Sequence, residues 1–340
     1  MREVAAHAAV SVGTVSNVLN RPEIVAQPTR DRVYAAIKTL GFVRNESARQ
    51  LRAGRSRTIG LVVLDVANPF FTDMARGVED EASMAGLSVM LCNSDEQEAR
   101  EARYLELLEE HRVQGILMTP VRQPDRRLAQ LQERGTPIIL VDATSPSGQQ
   151  CSVSVDDVLG GDLAISHLVA GGHERLAFVG GPVGLRQVAD RREGAMRAIV
   201  RAGGSPADLV VLETAALTVA GGQAVGAQIA RRDARSRPTA VFCANDLVAL
   251  GLLQEMTRHK ISVPDEIAIV GYDDIEFAAA AAVPLSSVRQ PRQELGRMAA
   301  RLLVEETSGS VPHVHQQVVF QPELVVRRSS QVALQAAGRA

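Results

Sequence analysis

Four groups of polar residues sit at the ends of short apolar runs. Asn68-Pro69-Phe70-Phe71 follows "TIGLVVL" (58–64), and Asp142 follows "PIILV" (137–141). Asn245-Asp246 follows "TAVFCA" (239–244), and Asp273-Asp274 ends "IAIVGYDD". Carboxylates accept hydrogen bonds and amides both donate and accept, so such groups can hold the hydroxyls of a polar ligand. An Asn or Asp after a strand also serves as a helix N-cap, and each position is open to that use. Asp142 and Asp273 could be a catalytic carboxylate pair, yet no nucleophile, metal set or phosphate loop accompanies them. There is no GxxxxGK[ST] and no GxSxG, and "GGP" (180–182) lacks the GxGxxG spacing. The seven His form no HExxH, and His313-Val314-His315 has no further ligand nearby in the sequence. Cys92, Cys151 and Cys243 lie far apart, form no CxxC and read as buried thiols. No metal and no cofactor is expected.

A different chemistry is written in "VSVGTVSNVLN" (10–20). Ser11 is a good N-cap, and Val15, Val18 and Leu19 fall at i, i+3, i+4 as an inward face. Val12, Gly13, Ser16, Asn17 and Asn20 then point outward, small and uncharged. Such a helix can sit deep in a DNA major groove, with Asn reading base edges and hydroxyls bonding phosphates. Residues 1–57 carry ten Lys/Arg against four Asp/Glu, a net of +6, while the rest carries −8. A basic head on an acidic body fits a polyanion at one end, although a solvated charged face gives the same count. "NESARQLRAGRSR" (45–57) is basic and about two turns long, too short for a stable isolated helix. It reads as a flexible linker or as one that folds against DNA with Leu51 as an apolar wedge.

The elements that must position these groups follow from periodicity. The head reads as three helices: Arg2–Ala8, one capped by Ser11, and one from about Thr29 stopped by Gly41. From Thr58 the texture alternates between short apolar runs and helical patterns. Eight runs (58–64, 87–92, 115–118, 137–141, 175–181, 209–213, 239–244, 267–273) alternate with helices near 71–85, 100–112, 162–170, 191–202, 221–232 and 247–257. This implies buried parallel sheet covered by helices, in one sheet or two. "SPSGQQ" (145–150) reads as a hinge between lobes, with a ligand site at the strand C-termini. A composition of 46% hydrophobic and 22% charged residues, without an apolar run near 18 residues or a basic-then-apolar leader, predicts a cytoplasmic protein with no membrane span.

The chain resembles bacterial transcription regulators of the lactose-repressor (LacI/GalR) family over about residues 2–330. The resemblance rests on "EVAAHAAVSVGTVSNVLN", "TRDRVYAAIKTLGF", "NESARQLRAGRSRTIGLVV", "NPFF", "VSVDDVLGGDLAISHLVAGGHERLAFVGGP", "RREGAMRAI", "FCANDLVALG", "VPDEIAIVGYDD", "PLSSVRQP" and "PELVVRRSS" in register. It implies an α/β protein with an all-α helix-turn-helix head (1–44), a hinge helix (45–57) and a two-lobed periplasmic-binding-protein-like core (58–330). Each lobe would be a parallel sheet flanked by helices. Lobe 1 would take 58–155 and 285–315, lobe 2 would take 156–284 and 316–330, and 331–340 would be a tail. The implied function is a homodimeric repressor on a palindromic double-stranded operator, governed by a small polar effector such as a sugar or sugar phosphate, with a nucleobase as the alternative. By motif position, Val12, Gly13 and Asn17 would face bases, and Ser11, Thr14, Ser16, Asn20 and Asn45 would hold phosphates. Ala48 and Leu51 would lie on the hinge helix at the minor groove, with Leu51 as the wedge. Phe71, Asp142, Arg191, Asn245 and Asp273 would contact the effector.

Four positions depart from the family pattern. Ala9 stands where the turn usually has Gly, Leu217 stands where several relatives place an aromatic, and Val12 and Gly13 offer little hydrogen bonding. A solute-binding transport protein and an α/β enzyme are the competing classes. The basic head and absent leader argue against the first, and the missing catalytic groups argue against the second.

Overall fold

The computed structural model describes residues 1–42, 56–122, 126–145, 147–182, 184–308 and 313–331. The chain divides into two compact units, Met1–Arg55 and Ser56–Ala340. The hinge residues Asn45, Ala48 and Leu51 and the tail 332–340 lie outside the described residues.

In the first unit, α1 (Arg2–His7), α2 (Val12–Asn20) and α3 (Gln27–Leu40) enclose Val4, Ala5, Ala8, Val15, Val18, Val33 and Ala36. Leu19 packs on this core only partly buried. Ser11 caps α2 by accepting from the Thr14 N–H at 3.0 Å. Gly41 ends α3 in the left-handed conformation at φ 58°, which costs glycine nothing. Ala9, in the α1–α2 turn, is held at φ 50°. Its Cβ makes that conformation costly, so Ala9→Gly should stabilise the head by about 1 kcal/mol, as read from its denaturant midpoint. A destabilised Ala9→Gly head would mean that the turn is not left-handed.

The second unit holds two six-stranded sheets. The first has the order β11-β5-β4-β3-β1-β2, built from β1 (Thr58–Val63), β2 (Ser88–Asn93), β3 (Ile116–Met118), β4 (Ile138–Val141), β5 (Ser152–Val155) and β11 (Gln317–Phe320), all parallel. The second has the order β12-β10-β9-β8-β6-β7. It comprises β6 (Leu176–Val179), β7 (Leu209–Leu212), β8 (Ala240–Cys243), β9 (Ala268–Asp273), β10 (Ser286–Arg289) and β12 (Glu323–Val325), with only β12 antiparallel. The remaining helices are α4 (Pro69–Met84), α5 (Glu98–Glu110), α6 (Arg126–Glu133), α7 (Asp157–Ala170), α8 (Arg186–Arg201), α9 (Val219–Ala230), α10 (Asp246–Arg258), α11 (Glu276–Ala280) and α12 (Arg292–Ser308). Helices α4 and α12 pair on the first lobe; α7 pairs with α8 and α9 with α10 on the second.

Several sequence expectations change. The 145–150 segment is no hinge, because β4 and β5 pair in one sheet, Val141 opposite Val153. The chain instead crosses between lobes after β5, after β10 and after β11. Residues 286–289 therefore belong to the second lobe and 317–320 to the first, the reverse of the expected boundaries. The "SVSV" of β5 and "SSVR" of β10 escape a hydrophobic reading because their serines are buried with the valines. In β10 residues distant in sequence satisfy those hydroxyls: Ser286 Oγ donates to the Arg327 carbonyl and Ser287 Oγ to Asp246 Oδ1. Helix α7 starts at Asp157, five residues before its periodic stretch. A Cβ on Gly161 would lie 1.9 Å from the Arg191 carbonyl oxygen, so this glycine serves close packing.

Candidate functional site

Residues at or just beyond the C-terminal ends of β1, β2 and β4 in the first sheet, and of β6, β7, β8 and β9 in the second, line one shared cavity. Asn68 enters from the start of α4, Asp142 from the end of β4, Asn245 from the start of α10 and Asp273 from the end of β9. Phe71 supplies an apolar wall, 5.0 Å edge-on from Phe70, and Leu64, Leu185, Val188 and Leu217 complete it. Arg191, Gln187, Asp65 and Glu96 line the same space. The five residues singled out for effector contact thus share one cavity. Gln187, Asp65 and Glu96 were not singled out by sequence.

The polar groups differ in how far they are already committed. Asn245 is committed at both ends: its Oδ1 caps α10 by accepting from the Val248 N–H, and one Nδ2 hydrogen is donated to the Leu217 carbonyl. Asn68 caps α4 through Phe70 N–H and also donates to Asp273 Oδ2 at 3.2 Å, bridging the lobes. The N-cap alternative is therefore realised at both asparagines. Asp273, at φ 99°, receives a second bond from Gln290 at 2.8 Å. Burial pushes its carboxyl pKa up against the lowering pull of Arg191 and these two donors.

Asp142 is only partly satisfied. Gln187 Nε2 donates to its backbone carbonyl at 2.8 Å and to Oδ2 at 3.0 Å, a second bridge between lobes. Its Oδ1 is buried with no hydrogen-bond partner among the described residues. Burial, then Asp157, raise this pKa well above the usual carboxylate range, with Arg191 opposing. Glu96, at the cavity edge, is pushed up to about 7 by burial, Asp65 and Asp95.

Arg191 is held on every side. Its Nε donates to Asp157 at 2.8 Å, its Nη1 to the Ala244 carbonyl at 2.8 Å, and its guanidinium stacks 3.7 Å from the Tyr272 ring centroid. Burial opposes its charge, and the surrounding Asp157, Tyr272, Asp273 and Asp142 more than restore it. Four cavity carboxyls therefore face one cation whose own charge is spent on Asp157.

In the head, Ser11, Val12, Gly13, Asn17 and Asn20 are exposed along one side of α2, and Thr14 and Ser16 are half-buried. Val12 is 43% exposed. Asn20 Nδ2 reaches Ser16 Oγ at 3.2 Å.

Comparison with known proteins settles the lineage. Residues 1–45 match the family model "Bacterial regulatory proteins, lacI family", and 165–330 match a periplasmic binding protein-like domain. The ribose operon repressor of Escherichia coli strain K12 is 34% identical over 332 residues, covering 97% of this chain and 99% of that protein. The chain belongs to the LacI family. Its fold is shared with the lac repressor dimer bound to operator and the anti-inducer ONPF, at TM-score 0.82 and 26% identity over 97% and 98% of the two chains. A LacI-family regulator from Enterococcus faecium with bound ribose matches at TM-score 0.73 and 29% identity over 80% and 98%. This LacI-family chain is accordingly a DNA-binding transcriptional regulator with a ligand-responsive core. Among its described residues no helix is long and apolar enough to cross a membrane.

Proposed function

We propose that the cavity takes a neutral, hydroxyl-rich effector, a sugar rather than a sugar phosphate. The carrying observation is that Asp142, whose buried Oδ1 has no hydrogen-bond partner among the described residues, lines the cavity together with Asp65, Glu96 and Asp273. Carboxyls bond hydroxyls in either protonation state, and those that are ionised repel a phosphate. Phe71 offers the apolar face of the ring a flat surface. Asn245 and Asp273 frame the site, and Arg191 fixes its floor. Ribose in the Enterococcus faecium relative supports the choice of a sugar.

On this reading the protein works as a cytoplasmic homodimer and carries out no catalysis. Its two heads present α2 to half-sites of a palindrome, with Val12, Gly13 and Asn17 toward bases. Ser11, Thr14, Ser16, Asn20 and Asn45 hold phosphates, and Ala48 and Leu51 of the hinge meet the central minor groove. Effector bound between the lobes acts on the Gln187–Asp142 and Asn68–Asp273 bridges. Its coupling to operator affinity is of the usual order of about 1–3 kcal/mol and reciprocal.

A thermal-shift screen of pentoses, hexoses, their phosphates and purine bases tests the effector class, since ligand at 100 times its Kd adds about 2.7 kcal/mol. The sign of the pH dependence then separates neutral from anionic ligands. Glu96 ionises as pH rises through about 7, gaining acceptor strength. Affinity for a neutral sugar should rise across that interval, and Glu96→Gln should flatten the profile. Affinity that falls across it, or a purine as the sole stabiliser, defeats the sugar assignment. Anisotropy titrations on palindromic and scrambled duplexes test the DNA side; equal affinity for both defeats it.

A further inference from the structure

A second cluster lies at the opposite end of the first sheet from Asp142. Cys151 immediately precedes β5, His313 and His315 precede the neighbouring parallel strand β11, and Glu306 lies in the last turn of α12. The expectation that the His-Val-His segment has no ligands nearby fails in space, because strand pairing delivers a cysteine 162 residues away in sequence. Cys151 Sγ lies 3.0 Å from His313 Nε2 and 3.8 Å from His315 Nδ1, and His313 Nε2 lies 3.7 Å from Glu306 Oε2. One ligand atom from each of the four residues falls within 4.8 Å of every other. Glu306 Oε2 is buried with no hydrogen-bond partner among the described residues.

We propose that Cys151, His313, His315 and Glu306 bind one divalent transition-metal ion of the zinc class. One sulfur, two imidazole nitrogens and one carboxylate oxygen form a borderline-soft set that suits Zn²⁺ and not Mg²⁺ or Ca²⁺. Zinc bond lengths place tetrahedral ligand atoms about 3.3–3.5 Å apart, close to the separations found here. Binding exchanges the thiol proton for the metal: the thiol becomes a metal-bound thiolate and one proton leaves to solvent. The cage is pre-set, since the Gln316 N–H already donates to Cys151 Sγ at 3.2 Å. Exposed His315 and an open hollow lined by Glu306, His315 and Thr136 give the ion a way in. The ion would clamp the edge strand β11 to β5 and α12 just before the chain crosses to the second lobe.

Full-length protein stripped with a chelator should take up one Zn²⁺ per chain in competition with a chromophoric chelator. Co²⁺ in its place should give a near-ultraviolet thiolate-to-metal band and strong visible bands of tetrahedral type. Cys151→Ser should abolish the thiolate band. The solvent-facing His315→Gln should weaken zinc binding by about tenfold or more without disturbing the fold, since even outer-shell changes cost about 10–100-fold. Absence of stoichiometric uptake by the wild type, or uptake unchanged in both variants, overturns the site and leaves a hydrogen-bonded thiol.

Discussion

Arg191→Met should eliminate the effector response and destabilise the second lobe by about 3–5 kcal/mol, the usual cost of stranding one partner of a buried ion pair. The partner stranded is Asp157, whose side chain is 8% exposed. The Ala244 carbonyl loses its donor and the Tyr272 ring loses its stacked cation in the same step. A single variant cannot separate loss of the effector contact from loss of the lobe. Arg191→Met combined with Asp157→Leu can, because replacing both members of a buried pair by apolar groups is often neutral or stabilising. The double variant should recover most of the denaturant midpoint while remaining blind to effector in the operator-release assay. A double variant that responds normally would make Arg191 a structural residue only. A single variant within 1 kcal/mol of wild type would mean the pair is not sealed from water.

The same arginine shows what the sequence could and could not disclose. The alternation of apolar runs and helical patterns announced parallel sheets because buried parallel strands are continuously apolar. It failed at β5 and β10, whose serines are buried among valines; those of β10 are satisfied by residues distant in sequence. Helix α12 went unassigned although Leu295, Ala299, Leu302 and Leu303 repeat at helical spacing, a signal present in the sequence. The strand-end residues Asn68, Asp142, Asn245 and Asp273 were legible because a sheet's C-terminal edge is the one place where polar groups must follow apolar runs. Arg191 came from family resemblance alone. Gln187, one helical turn before it, carried no signal, since an amide in a helix says nothing about which lobe it will bridge. The Cys151 cluster was invisible for the same reason as the lobe crossings. Both depend on which strands become neighbours, and β11 joins β5 only after the chain has built the second lobe between them.

Gly194→Ala should cost about 3 kcal/mol and lower effector affinity by about a hundredfold, although the residue touches no ligand. A Cβ on Gly194 would lie 1.9 Å from the Val158 carbonyl oxygen and 2.8 Å from the Asp162 nitrogen. The facing contact, Gly161 against the Arg191 carbonyl, is as close, so neither α7 nor α8 has slack at the crossing. Backbone is what the methyl meets, and backbone in a helix cannot rotate away as a side chain would. Relief requires moving α8 by about an ångström, and α8 carries both Arg191 and Gln187. That movement opens the Gln187–Asp142 bridge and takes the guanidinium off Tyr272 together. Gly184→Ala, just before the same helix, has nothing within 4 Å of its added carbon and should be silent in both assays. If Gly194→Ala kept full effector affinity while losing stability, the position of α8 would not govern the cavity. The lobe bridge, rather than the helix crossing, would then carry the coupling.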